Sequence, residues 1–308
     1  MIGLLWFNYL LFTCLALAFH AKDVVEAPRI SNATPSPNGT FAVFTKSAYS
    51  VDTDSRLGGV YIICLTSMEP VEPELLIKDP SAASVVWLDD NTLLYISNQG
   101  GKASLQTYNM VFRKGRQLLI SGGSIESLKS APCSDDSSVR IAFTAKAKED
   151  GDFADFKNPS DWIVYDQLWT RYWNDETKTK NTIFVAVLRI QESHYFLLES
   201  PINMLNLTQE LRDLESPIPY LYDPSDCFSI SSSHLAFVAK DPELEPAFNT
   251  RANVYLIPFS NLTELQQINF VHGGSKTPVF SPNGNLLAYF EQRIARNTQD
   301  RKNVRLKS

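Results

Sequence analysis

The feature that most constrains this chain is a phrase it repeats. Ser36-Pro-Asn-Gly-Thr-Phe-Ala-Val-Phe44 returns as Ser281-Pro-Asn-Gly-Asn-Leu-Leu-Ala-Tyr289, a polar turn followed by a short apolar run. Weaker copies lie between them: Trp87-Leu-Asp-Asp-Asn-Thr-Leu-Leu-Tyr95, Ser134-Asp-Asp-Ser-Ser-Val-Arg-Ile-Ala-Phe143 and Ser229-Ile-Ser-Ser-Ser-His-Leu-Ala-Phe237. Their starts at 36, 87, 134, 229 and 281 are 51, 47, 95 and 52 residues apart. If the third interval holds two periods, with Asn181 to Leu188 supplying strands of a missing copy, the unit is 49 residues over the 245 from Ser36 to Ser281. A unit of that length is a blade of four short antiparallel strands, stacked on its neighbours in a β-propeller. Asn and Gly tolerate positive φ in the turn, and the aliphatic and aromatic residues after it favour strand.

The expected architecture is therefore all-β: a propeller of four-stranded antiparallel blades, incomplete, with about five blades and part of another. The alternative is a β-sandwich followed by a second β domain. It does not explain one turn-strand phrase kept in register across the chain. Helical periodicity is limited to Leu207 to Leu214. Cys64 sits in the apolar run Val60 to Leu65 and is expected to be a buried strand residue, while Gly58-Gly59 and Gly100-Gly101 are read as hairpin turns. The last copy opens at Ser281, 27 residues before the final residue, so about half a blade is expected to be missing.

Residues 2 to 19 are apolar except for Asn8 and Thr13, and the first charged side chain after them is Lys22. This is the pattern of a secretory leader, and Ala16-Leu-Ala18 offers small-x-small cleavage chemistry. The reading is a signal peptide over 1–18 and a propeller over 19–308, with cleavage after Ala21 as the second choice and an uncleaved anchor as the rival. Four sequons at Asn32, Asn38, Asn206 and Asn261 agree with export and glycosylation; Asn158 is excluded by Pro159. Without Cys14 the mature chain keeps Cys64, Cys133 and Cys227, so at most one internal disulfide forms. The four histidines, His20, His194, His234 and His272, are isolated from one another and from those cysteines, so no metal site is expected, and no cofactor. A balance of 28 basic and 34 acidic residues gives −6, which argues against nucleic acid as a partner, and no stable membrane anchor is expected. The stretch from Glu291 to Ser308 carries six basic and two acidic residues, and unfinished blade sequence accounts for it.

One phrase breaks the repeat. Residues 162 to 176 read Trp-Ile-Val-Tyr-Asp-Gln-Leu-Trp-Thr-Arg-Tyr-Trp-Asn-Asp-Glu. They resemble a run in the propeller of fungal dipeptidyl-peptidase V and its relatives in the prolyl oligopeptidase family of serine peptidases. Val164, Tyr165, Asp166, Leu168, Arg171 and Trp173 match; Tyr172 and Asn174 depart where the family has histidine and aspartate. The resemblance extends from about Asp23 to the C-terminus. It implies a seven-bladed propeller that caps a C-terminal α/β-hydrolase domain and admits short peptides, in an enzyme that removes dipeptides from free N-termini. Tyr165, Trp169 and Trp173 become candidates for an apolar wall, with Asp166 or Arg171 orienting a peptide terminus. Packing between blades, with Asp166 and Arg171 paired, is the alternative.

The catalytic chemistry of that family is absent from these residues. A nucleophile elbow needs Gly-x-Ser-x-Gly so that small neighbours leave the serine exposed, and the chain has none. Gly122-Gly-Ser-Ile-Glu126 places Glu126 where the second glycine belongs, and His272-Gly-Gly-Ser275 is read as a loop entering a blade. The functional expectation is the non-catalytic propeller portion of a secreted serine exopeptidase. A peptide substrate is engaged only alongside a hydrolase domain that this chain lacks. The alternative is a secreted propeller that acts as a binding module with no enzymatic role.

Overall fold

A computed structural model of the chain describes residues 20–307, apart from 101, 136, 149, 155–178, 219–222, 245–248, 250, 270–272 and 293–302. In it the repeated phrase is one turn made twice with the same atoms. Ser36 Oγ donates to Asn38 Oδ1 at 2.8 Å and accepts from the Phe41 amide at 3.0 Å, and Gly39 N donates to Ser36 O at 2.9 Å. Ser281 Oγ donates to Asn283 Oδ1 at 2.7 Å and accepts from the Leu286 amide at 3.0 Å, and Gly284 N donates to Ser281 O at 2.8 Å. Gly39 and Gly284 stand at φ +70° and +73°, the left-handed region that the fourth turn position requires. The serine side chain thus replaces a ladder partner for the first strand residue, and the strand starts in register.

Each copy of the phrase joins the first and second strands of a sheet. The first sheet has the order β1 (Arg29–Ile30), β3 (Phe41–Ser50), β4 (Ser55–Cys64), β5 (Glu74–Ile77), with β2 (Thr34–Pro35) also on β3. The second runs β6 (Ala82–Trp87), β7 (Thr92–Gln99), β8 (Lys102–Asn109), β9 (Lys114–Ser121). The third runs β10 (Ile125–Pro132), β11 (Ser138–Ala147), β12 (Lys180–Gln191), β13 (His194–Leu197), with β14 (Ile202–Asn203) on β12. The fourth is β15 (Phe228–Ile230), β16 (His234–Lys240), β17 (Ala252–Pro258), β18 (Gln266–Gln267), and the fifth β19 (Ser275–Phe280), β20 (Leu287–Glu291), β21 (Asn303–Lys307). These are successive antiparallel meanders, and the chain is a β-propeller in fold class.

The chain divides at Val85/Val86 into two compact units. In the first, β3 and β4 pair over ten residues, from Phe41 opposite Cys64 to Ser50 opposite Ser55. Val43 and Val60 are fully buried, and Phe44 stacks on Tyr61 with centroids 5.9 Å apart. A helix, Ala21–Glu26, ties to the hairpin tip through Lys22 Nζ to Asp52 Oδ1 at 2.7 Å and the Val51 amide to Glu26 Oε1 at 2.9 Å.

In the second unit the cores lie between successive sheets. Leu94, Ile96 and Leu105 of the second sheet meet Ile125, Ile141 and Phe143 of the third. Ala142, Ile183 and Val185 of the third meet Phe228, Leu235 and Phe237 of the fourth. Val238, Ala252 and Val254 of the fourth meet Leu287 and Tyr289 of the fifth. Each fully buried large side chain contributes about 1.5–3 kcal/mol, so the faces of the sheets, rather than any one sheet, hold the unit together.

Three sequence expectations change in detail. Among the described residues the 95-residue interval contains one sheet, because Asn181 to Leu188 is the middle of β12, the third strand of the third sheet. The added length sits in the 32 residues between β11 and β12 and in the segment between β13 and β15. Gly58 and Gly59 are inside β4 rather than in a turn; a Cβ on Gly59 would lie 1.9 Å from the Ile77 carbonyl oxygen, so glycine permits that strand pair to close. Cys64 ends β4 half-exposed, because its apolar run passes from the core to the rim there. The helix expected near Leu207 to Leu214 is present as Gln209–Arg212, capped by Thr208 Oγ1 accepting from the Leu211 amide. The basic stretch after Glu291 does form blade: β21 pairs with β20, and Arg305 Nε donates to Glu291 Oε1 at 2.8 Å.

Candidate functional site

The aromatic phrase lies within the connection that leaves β11 and returns as β12. Tyr165, Asp166, Trp169, Arg171 and Trp173 are outside the described residues, while the two roots of the connection lie within them. β11 is preceded by the Ser134 turn and followed by the insertion, so the insertion leaves from the other end of the sheet. That end is where an antiparallel meander accepts extra chain without disturbing its packed faces.

Both roots are held by one segment, 203–217. On the outgoing side Ala147 bridges Phe153, and the Ala154 amide returns to Lys146 O at 2.9 Å. Asn203 Nδ2 donates to Gly151 O at 2.9 Å and Asn206 Nδ2 to Asp150 O at 3.0 Å. On the incoming side the Asn181 amide donates to Glu215 Oε1 at 2.9 Å, Asn181 Nδ2 to Pro217 O at 3.2 Å, and Lys180 Nζ to Arg212 O at 2.8 Å. Thr182 Oγ1 donates to Asn203 Oδ1, which also accepts from the Leu205 amide at 3.0 Å. The segment is itself anchored by Met204, Leu205, Leu211 and Leu214, all buried between the third and fourth sheets. Beneath the roots Phe153 stacks on Phe184 at 4.0 Å, and Phe143 on Phe184 at 5.8 Å. The arrangement fixes where chain enters and leaves the insertion. Sequence reasoning missed it, since its asparagines lie more than 30 residues from most of their partners and no local motif announces those pairings.

No catalytic centre appears among the described residues. Ser124 stands in the link from β9 to β10, a strand-to-strand connection that cannot form the strand-to-helix elbow. Ser275 opens β19, consistent with the loop reading of the residues before it. One histidine does have a partner that the sequence left unseen: His234 Nδ1 lies 2.7 Å from Ser233 Oγ. Ser233 lies on the exposed turn between β15 and β16 and the half-buried His234 opens β16; among the described residues no carboxylate is hydrogen-bonded to the imidazole, so no triad is assembled there. His194 is engaged with Glu192 O at 2.9 Å and stacks on Phe112. No group of histidine, cysteine, aspartate or glutamate suited to a metal occurs among the described residues. On β10, burial pushes the Lys129 ammonium below its ordinary range against the opposing fields of Asp226, Cys227 and Asp223, and it sits 5.1 Å over the Phe228 ring.

These successive meanders make a β-propeller fold that is shared with solved peptidases. The fold aligns with an acylaminoacyl peptidase solved in complex with Z-Gly-Gly-Phe-chloromethyl ketone, at TM-score 0.61 and 8% identity over 94% of this chain and 39% of that one. The Pyrococcus horikoshii acylaminoacyl peptidase aligns equally well, at TM-score 0.61 and 10% identity over 92% of this chain and 39% of the other. In sequence the chain is a relative of the fungal dipeptidyl-peptidases 5. It is 28% identical to that of Aspergillus fumigatus over 96% of its own length and 43% of the relative's, and 28% identical to that of Schizosaccharomyces pombe over 93% and 41%. It therefore spans less than half the length of the curated relatives it matches. No family profile matches the chain.

Proposed function

We propose that this chain is the non-catalytic propeller portion of a secreted serine exopeptidase that releases N-terminal dipeptides. The observation that carries the reading is the match to dipeptidyl-peptidases 5 along nearly all of this chain, coupled with a sheet order that keeps the aromatic phrase on an insertion with two braced roots. In this role the propeller restricts access and contributes contacts: Tyr165, Trp169 and Trp173 an apolar wall, Asp166 or Arg171 a charge for a peptide terminus. Peptide hydrolysis needs an activated serine, a proton-shuttling histidine and an oxyanion hole, which a hydrolase domain would supply. The leader directs the product to the secretory pathway, and sequons are modified there.

The test is to assay purified residues 19–308 with dipeptidyl chromogenic substrates and a serine-reactive fluorophosphonate probe. No turnover and no stoichiometric labelling are expected. Labelling of a single serine, abolished by its replacement with alanine, would overturn the reading. Three of the five tryptophans, Trp162, Trp169 and Trp173, lie in the insertion, so peptide binding should also change the intrinsic fluorescence, and W169A with W173A should remove most of that change.

A further inference from the structure

Three of the four sequon asparagines, Asn32, Asn38 and Asn261, are exposed, and the fourth, Asn206, is half-buried. Its amide nitrogen is already used: Nδ2 donates to Asp150 O at 3.0 Å. On the same side stands Gly151 at φ +92°, and the position its Cβ would take is 1.9 Å from Asn206 Nδ2 and 2.5 Å from Cγ. The Asn206 amide thus fills the space that any other residue at 151 would need. Three residues earlier Asn203 Nδ2 holds Gly151 O, and Asn203 is the cap of the 3-10 turn Met204–Asn206 that carries Asn206. Met204 and Leu205 are buried, so this turn cannot swing out as a surface loop would.

We propose that Asn206 is withheld from N-glycosylation in the folded protein, its amide serving instead as the clasp that holds Asp150 and Gly151 at the outgoing root of the insertion. Glycan transfer joins the anomeric carbon of a glycosyl diphosphate to Nδ2, with loss of one amide proton and departure of the diphosphate. The nitrogen then carries one hydrogen and a bulky substituent beside a carbonyl and a glycine already in contact with it. A glycan on Asn206 and the closed root exclude each other. The sequon and the clasp compete for one atom, and the fold decides between them. The glycan half of this statement rests on the secretory reading above; the clasp does not.

Two measurements test it. In full chain made in a bacterial host, where no glycan is added, amide exchange is compared between the parent, N206A and the near-isosteric N206D, which removes the donor. Exchange at residues 150–154 should accelerate about tenfold, ~1.4 kcal/mol of local opening, with β16 and β17 unchanged. Unaltered protection at 150–154 in a folded N206D overturns the clasp. In a eukaryotic secretion host, peptide mapping of the soluble product should find Asn32 and Asn261 occupied and Asn206 bare. Occupancy of Asn206 equal to theirs overturns the proposal. A product bare at all four sequons overturns the export reading and with it the glycan half, while the exchange result still decides the clasp.

Discussion

Gly39 and Gly59 both have positive φ but differ in what surrounds them. A Cβ on Gly39 would have nothing within 4 Å, whereas one on Gly59 would meet the Ile77 carbonyl oxygen at 1.9 Å and the Asp79 amide nitrogen at 2.8 Å. G39A therefore costs only the left-handed strain, about 1 kcal/mol, and G59A forces β4 and β5 apart at a cost on the order of 3 kcal/mol or more. Chemical denaturation of the two variants checks this, and equal midpoints would refute it. The cysteines differ in the same local way. Thr66 hydroxyl and backbone hydrogen bonds hold the rim Cys64 thiol below its ordinary range, while burial raises Cys133 and pushes Cys227 up to about 11. Native protein at pH 8 should react with iodoacetamide at Cys64 first, and at Cys227 only after denaturation. The folded Cys227 pKa lies above the unfolded value of about 8.5–9, so its contribution to stability is complete below pH 8.5 and is lost as pH rises towards 11. C227A should lack that part of the alkaline loss, which thermal melts across pH 8–11 would detect.

At the level of elements, what the sequence made legible is what closes within a few residues. The Ser-Pro-Asn-Gly turn satisfies itself over six positions, so it can be read from either copy. The 95-residue interval reads as two periods in sequence because the apolar run of β12 has the composition of any blade strand, and composition does not say which sheet owns it. Contacts between sheets were equally out of reach. Arg140 of β11 donates from Nη1 to Ser232 O at 2.6 Å, 92 residues away, and lies 3.8 Å over the Phe259 ring, fastening the third sheet to the fourth. Guanidinium stacks on an aromatic face as ammonium does not, so R140A should lower stability by about 1–2 kcal/mol and R140K should recover only part of it. Full recovery by lysine would reduce the contact to charge alone. The roots of the insertion belong to the same class, since Asn181, Asn203 and Asn206 find their partners only after folding.

For the whole molecule, each described core in the second unit is shared by two sheets, so within that unit a sheet is not expected to be stable apart from its neighbours. The fifth sheet shows where this leaves a surface: on β21, Val304 and Leu306 are 64% and 71% exposed on a strand that among the described residues pairs with β20 alone. Such an edge templates association, so V304K/L306K should raise the soluble yield of residues 19–308 and shift its light-scattering mass towards the monomer; an unchanged mass would show that association, if any, uses another surface. The connection between β11 and β12 has a wider consequence. The connection leaves and rejoins the sheet at one hairpin end, and lengthening a loop costs only about 0.6 kcal/mol per doubling. Sequence there can drift, lengthen or be exchanged at little expense in stability while the blades stay constant. The fold thereby separates the part of the chain that must persist from the part free to acquire new specificities, and a foreign recognition peptide grafted between Ala154 and Lys180 should be carried by an unaltered scaffold.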